Sequence, residues 1–213
     1  MAGVQGIGQF AALKVHDFRL YWFGQVISVA GMRMLQVAQG WLVYELTGSA
    51  LYLGAVSLAQ AVPATVLTLF GGVVADKVDQ RRLLMAIQLT QIAVLAVLSA
   101  LAFGGIIEPW HVIASAFVLA AVGSFENPAR YAMFAALVPR EVLTSAVAMN
   151  ATVHPGTAVF GPIIAGYVLA MMMDRTASAM TAGASVFALA AGAYAVYFFM
   201  LRAVRMPAVR RAQ

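Results

Sequence analysis

The chain has 213 residues, of which 63% are apolar and 10% charged, with 13 Lys plus Arg against 8 Asp plus Glu. Soluble domains carry about 45–50% apolar and about 25% charged residues, so this composition excludes a water-soluble globule and predicts a membrane protein. With no cysteine in the chain, a disulfide framework, a thiolate metal site and a cysteine nucleophile are excluded as well.

Six long apolar runs follow one another, over residues 21–44, 51–74, 83–103, 110 to about 126, 143–173 and 177–201. A bilayer-spanning helix needs about 20 predominantly apolar residues. Helix is the open-ended element that satisfies its own backbone in lipid, so each run is read as a transmembrane helix. The first run ends at the polar turn Glu45-Leu-Thr-Gly-Ser49. The second stops at Asp76-Lys-Val-Asp-Gln-Arg-Arg82, and the third ends at Gly104-Gly105, before Glu108-Pro109. The fourth loses its apolar character around Glu126-Asn-Pro-Ala-Arg130, and the fifth carries Pro155 and Pro162 inside it. The expected organisation is a cytoplasmic amphipathic segment over 1–19, with residues 4–16 on the membrane surface, a six-helix bundle over 20–201 and a basic cytoplasmic tail over 202–213. The first ten residues lack the basic region and apolar core of a cleavable signal peptide.

Charge placement gives orientation. With a cytoplasmic amino terminus, the cytoplasmic segments hold Lys14, Arg19, Lys77, Arg81, Arg82, Arg130, Arg140, Arg202, Arg205, Arg210 and Arg211, and the external loops hold Arg175, while Arg33 falls inside the first span. This is a strong positive-inside asymmetry, and both termini are expected in the cytoplasm. The same spread over separate segments argues against nucleic acid as a partner.

The most specific pattern lies between the second and third spans, in Gly71-Gly-Val-Val-Ala-Asp76-Lys-Val-Asp-Gln-Arg81-Arg82. Its plain reading is a short positive-inside loop. Its spacing, a Gly, an Asp four residues on, then basic residues, resembles the signature loop of the major facilitator superfamily. That resemblance implies a conformational latch on the cytoplasmic side carried by Gly72, Asp76, Lys77, Arg81 and Arg82. A longer match follows: Phe125-Glu-Asn-Pro-Ala-Arg130, Leu137-Val-Pro-Arg-Glu141, Ser145-Ala-Val-Ala-Met-Asn150 and Gly161-Pro-Ile-Ile-Ala-Gly166. With Phe18-Arg-Leu-Tyr-Trp-Phe-Gly-Gln25 and Gly40-Trp-Leu-Val-Tyr-Glu-Leu-Thr-Gly-Ser49, it resembles the branch of enterobactin exporters and macrolide-efflux-like proteins.

The resemblance implies an all-α, polytopic fold with six helices as a three-plus-three inverted repeat, equivalent to the amino-terminal half of a twelve-helix transporter. The family holds substrate near the bilayer midplane between two halves, so a second half, a second copy or a larger membrane complex is expected as partner. The implied function is efflux of small molecules by alternating access, driven by the proton gradient, as an antiporter in the bacterial inner membrane. The rival expectation is a non-transporting membrane subunit or assembly factor that keeps the half-fold.

Polar residues inside spans carry the site expectations, since polar groups facing lipid are unfavourable. On the first helix Gln25, Ser28, Met32, Gln36 and Gln39 recur at three- and four-residue steps and share one face. That face meets either a substrate cavity, together with Asn150 and His154, or neighbouring helices through hydrogen bonds. Arg33 lies about 100° around the helix from Met32, where family relatives often carry an aromatic. It reads either as an anion attractor or as a snorkelling or ion-paired residue. Glu126 and Arg130 form a possible charge network, with Glu126 expected near a cytoplasmic helix end.

Pro155, Gly161, Pro162 and Gly166 are expected to bend and pack the fifth helix. The acid that many relatives carry near the position of Met32 is missing, and the Asn and Arg common before the Gly-Pro of the fifth helix are replaced by Pro155 and Ala158. His154 has a side chain that titrates near neutrality, and a lone His beside a helix Pro also reads as a structural residue. No phosphate loop, nucleophile elbow or paired metal-ligand spacing occurs, so no enzyme chemistry, cofactor or metal is expected. The run Met171-Met-Met173 reads as apolar packing in preference to a copper site.

Overall fold

The structure is a computed structural model that describes residues 11–204, the side chains of 69–77 and 135–136 excepted. After a short 3-10 turn at Ala11–Lys14 come α1 (His16–Thr47), α2 (Ala50–Lys77), α3 (Gln80–Phe103), α4 (Pro109–Gly123), α5 (Glu126–Leu137), α6 (Leu143–Thr176) and α7 (Ala179–Ala203). The described residues form six helical stretches long and apolar enough to cross a membrane, α4 and α5 together making the fourth. The protein is therefore an all-α, multi-pass membrane protein.

Most ends fall where the sequence placed them. Gly48 takes a left-handed φ of 62° and its N–H bonds the Tyr44 carbonyl at 2.7 Å, closing α1, the conformation glycine adopts without a Cβ penalty. Asp79 accepts from the Arg82 N–H at 2.8 Å and starts α3, and Ser178 accepts from the Thr181 N–H at the start of α7. Two expectations shift. α1 begins at His16, inside the segment expected to lie on the surface, because polar residues are tolerated in a helix's first turn at the membrane boundary. The fourth span does not end near Glu126. It breaks at Ser124 and Phe125 and resumes as α5, placing Glu126 in the first turn of a new helix that runs about 16 Å further. Pro128 explains the break: its ring clashes with the carbonyl four residues back, and it is tolerated only in a helix's first turn.

Helix pairing shows internal symmetry. α1 packs on α7 and α6, α3 packs on α7 and on α4–α5, and α2 packs on α4. Exchanging the first three spans with the last three maps these pairs onto one another, and an odd number of spans per unit makes the two units antiparallel. On one side of the bundle, the Ala12 N–H bonds the Ser145 hydroxyl at 3.2 Å. There too, Arg81 donates from Nε to the Leu201 carbonyl at 2.8 Å and from Nη2 to the Arg202 carbonyl at 2.7 Å. A cation thus closes the carbonyl end of α7, where the helix dipole is negative.

Two apolar clusters fill the bundle. One gathers Leu35, Leu42, Leu95, Leu98, Val112, Leu169 and Phe187; the other gathers Phe18, Tyr21, Leu84, Met133, Met149, Tyr197 and Leu201. Along α1 and α3 the residues between them include buried Gln25, Ser28, Gln88 and Gln91. The backbones of α1 and α7 meet closely at Gly31, where a Cβ would stand 2.8 Å from the Ala193 Cβ. Gly31→Val is expected to destabilise the bundle by about 1–3 kcal/mol through overpacking, read as a lower unfolding midpoint in detergent. Gly192→Val, where nothing among the described residues lies within 4 Å, leaves that midpoint unchanged.

Candidate functional site

The site is built around the break in the fourth span. Glu126 and Arg130 are four residues apart on α5 and therefore share a face; Arg130 Nη2 lies 2.5 Å from Glu126 Oε1. Both are buried, at 7% and 4% exposure, and burying an unpaired charge costs several kcal/mol. Neighbouring helices supply the remaining bonds. Gln88 of α3 donates to the same Glu126 oxygen at 2.7 Å, and Arg130 donates to the Ser28 hydroxyl of α1 at 3.3 Å. The Tyr21 hydroxyl donates to the Arg130 carbonyl at 3.3 Å. The Arg130 guanidinium carbon stands 5.3 Å from the centre of the Tyr197 ring, within cation–π range.

Beside this pair opens a cavity of about 260 Å³. Gln36 and Gln39 of α1, Gln60 of α2, Gln91 of α3, Asn127 of α5 and His154 of α6 all line it, as do Glu126 and Arg130. The amides are partly linked to one another: Gln60 donates to Gln39 at 3.2 Å, and Gln39 donates to the Ser115 hydroxyl at 3.1 Å. The Gln91 Oε1 and the Arg130 Nε are buried and have no partner among the described residues. Unpaired buried polar atoms are rare in folded proteins, and both of these belong to residues that line the cavity.

The expected residues are partly brought together. The α1 stripe does face this cavity: Met32, Gln36 and Gln39 line it, while Ser28 holds Arg130 and Gln25 is buried. His154 reaches it from α6. Asn150 is buried but does not line it, and its Oδ1 is unpartnered among the described residues. Arg33 stands beside the cavity without lining it, its Nη1 donating to Gln36 at 3.3 Å. Gly161 is a packing position, since a Cβ there would collide with the Arg33 Cβ and stand 3.1 Å from the Ala30 carbonyl. Gly166 faces outward and packs on no helix within this bundle, since nothing among the described residues lies within 4 Å of its Cβ position. α6 continues through Pro155 and Pro162. Of the latch residues, Arg81 clasps α7 and Arg82 lies exposed at the start of α3, whereas the side chains of Gly72, Asp76 and Lys77 lie outside the described residues.

Gln60, Gln88, Gln91, Asn127 and Ser115 were not singled out from the sequence. An available signal was the three-residue step from Gln88 to Gln91 within an apolar span, the same criterion that picked out the α1 stripe.

Residues 7–209 match the family model described as transmembrane secretion effector, within the major facilitator superfamily. The chain belongs to that family. This major facilitator bundle is 29% identical over 148 residues to the macrolide efflux protein A of Streptococcus pyogenes, covering 70% of this chain and 36% of that protein. It is 31% identical over 137 residues to the staphyloferrin A transporter of Staphylococcus aureus (strain NCTC 8325 / PS 47), covering 64% of this chain and 34% of that protein. The matched stretch thus spans about a third of each relative's length. No solved structure gives a significant match.

Within this major facilitator bundle, Glu126→Gln alone is expected to cost about 3–5 kcal/mol by leaving Arg130 buried without its carboxylate. Glu126→Gln combined with Arg130→Met costs less than the sum of the two single changes. A double-mutant cycle on unfolding in detergent measures this coupling, and additive losses would mean that the pair is not coupled.

Proposed function

We propose that the bundle is one half of a small-molecule exporter in the bacterial inner membrane, carrying a drug- or siderophore-like solute by alternating access against a second six-helix bundle. The observation that carries this reading is the polar cavity beside the Glu126–Arg130 pair in an otherwise apolar helix bundle. Family membership and the printed names of the efflux and siderophore-transporter relatives support it. The second bundle is a further half or a second copy. The protein performs no covalent chemistry and needs no cofactor. Both termini lie in the cytoplasm, and the segment around Gly72, Asp76, Lys77, Arg81 and Arg82 acts as the latch there.

The coupling ion is the proton and Glu126 takes it up. Its carboxylate holds Arg130 of α5 and Gln88 of α3 at one oxygen, and Arg130 also reaches α1. Protonation removes the negative charge on which the guanidinium depends, so one proton alters how α1, α3 and α5 are held together. His154 lines the same cavity from α6.

Gln39→Trp fills the cavity and is expected to reduce efflux from vesicles at least tenfold with normal membrane insertion, whereas Glu126→Gln is expected to abolish the dependence of flux on a pH gradient. Retained gradient-driven flux in Glu126→Gln would refute proton uptake by Glu126. If wild-type protein supplied with its second bundle shows no flux of any solute, the non-transporting subunit replaces the exporter. For orientation, cysteines at Ser49 and Ser178 react with an impermeant thiol reagent from the periplasm, and one at Gln80 does not.

A further inference from the structure

We infer that Arg33 is an anion-recognition point beside the cavity, so that the solute handled by this bundle carries a carboxylate or phosphate group. The inference rests on the exporter reading and adds the substrate's charge to it.

Position comes first. Arg33 is the eighteenth of the 32 residues of α1, which places it within a few ångström of the helix centre at about 1.5 Å per residue. With the span centred in a hydrocarbon core about 30 Å thick, Arg33 lies about 15 Å from either headgroup layer, further than its side chain extends. A span so placed leaves neither snorkelling nor a lipid headgroup within reach of the guanidinium. The ion-pair alternative also fails within the bundle, because no carboxylate lies within 4.0 Å of Arg33 among the described residues. The one bond shown for it runs from Nη1 to the Gln36 amide oxygen, and its Nε is buried without a partner.

The guanidinium is also positioned. The side chain leaves α1 against Gly161 of α6, whose missing Cβ makes room for the first carbons of the arginine. Gln36, which accepts from Arg33, lines the cavity. Among the lining residues Glu126 is the one carboxylate and it is engaged by Arg130, while Gln39, Gln60, Gln91 and Asn127 are uncharged and His154 offers no negative charge. Arg33 therefore leaves the neighbourhood of the cavity with one uncompensated positive charge at mid-depth. Such a charge in a span is costly unless something answers it. A planar guanidinium answers carboxylate and phosphate oxygens with paired hydrogen bonds.

The test uses a probe pair differing only in this feature, dansyl-glycine and its neutral amide dansyl-glycinamide, binding to the full chain in nanodiscs and followed by fluorescence. The carboxylate is expected to bind about tenfold more tightly than the amide, the scale of one charge-assisted hydrogen bond. Arg33→Gln should bring the two to equal affinity, and Arg33→Lys should keep most of the preference. Gln39→Trp should weaken both probes. Equal binding of both probes to the wild type, a preference that survives Arg33→Gln, or no binding of either probe overturns the inference. Equal, cavity-dependent binding does so while leaving the exporter reading intact. If Arg33→Gln instead breaks a two-bundle assembly with no change in probe preference, Arg33 pairs with a carboxylate of that second bundle and the inference is wrong.

Discussion

A carboxylate and a guanidinium buried inside a membrane bundle constrain everything around them. Neither group is stable there alone, and mutual attraction compensates for lost hydration only when the remaining hydrogen-bonding positions are also filled. Glu126 and Arg130 meet most of that condition by recruiting three other helices, Gln88 from α3, Ser28 from α1 and the Tyr197 ring from α7, with the Arg130 Nε left unpartnered among the described residues. The break at Ser124 and Phe125, which Pro128 requires, starts α5 at this level and sets the acid in its first turn, where the helix dipole favours a negative charge. The apolar clusters then lie to either side of the polar level.

Close packing and polarity are solved on the same helix. α1 is the least apolar of the six spans and also the most deeply buried, the combination expected when amide and hydroxyl groups need protein cover in lipid. One side of it closes on α7 through Gly24 and Gly31 and another on α6 through Gly161, positions where a single added carbon would collide. Small residues are what allow helices to approach in a membrane, where lipid tails are as apolar as leucine. The Gln36 and Gln39 face is left for the cavity.

Hydropathy alone located all six spans, because the need to satisfy the backbone in lipid leaves a strong period-free signal of length and composition. The same criterion misplaced Glu126: counting apolar residues ends a span at a charge, although a neutralised pair with bonds to other helices can lie inside one. The α1 stripe was legible because its residues recur on one helix. Gln88 and Gln91 carry the same signal in a single three-residue step, whereas the relevance of Gln60 comes only from its convergence with Gln39 of α1, twenty-one positions away. Gly166 is a related case: a helix glycine signals close approach only if another element stands opposite, and among the described residues none does.

The outer face of α6 carries a further constraint. Pro155 and Pro162 lack the N–H groups that the carbonyls of Ala151 and Ala158 would otherwise accept, and these two positions are seven residues apart, on one face of the helix. Ala151 and Ala158 are both exposed. In hydrocarbon each unsatisfied backbone group costs several kcal/mol, and prolines in transmembrane helices are tolerated where neighbouring helices or water supply the missing donors. A face with two such carbonyls belongs against protein or a water-filled space. α6 is also, after α2, the least buried of the spans within this bundle, so what the face requires must come from outside these six helices. The polarity of the interior and the incompleteness of this outer surface therefore have one physical origin, backbone and side-chain groups that lipid cannot solvate.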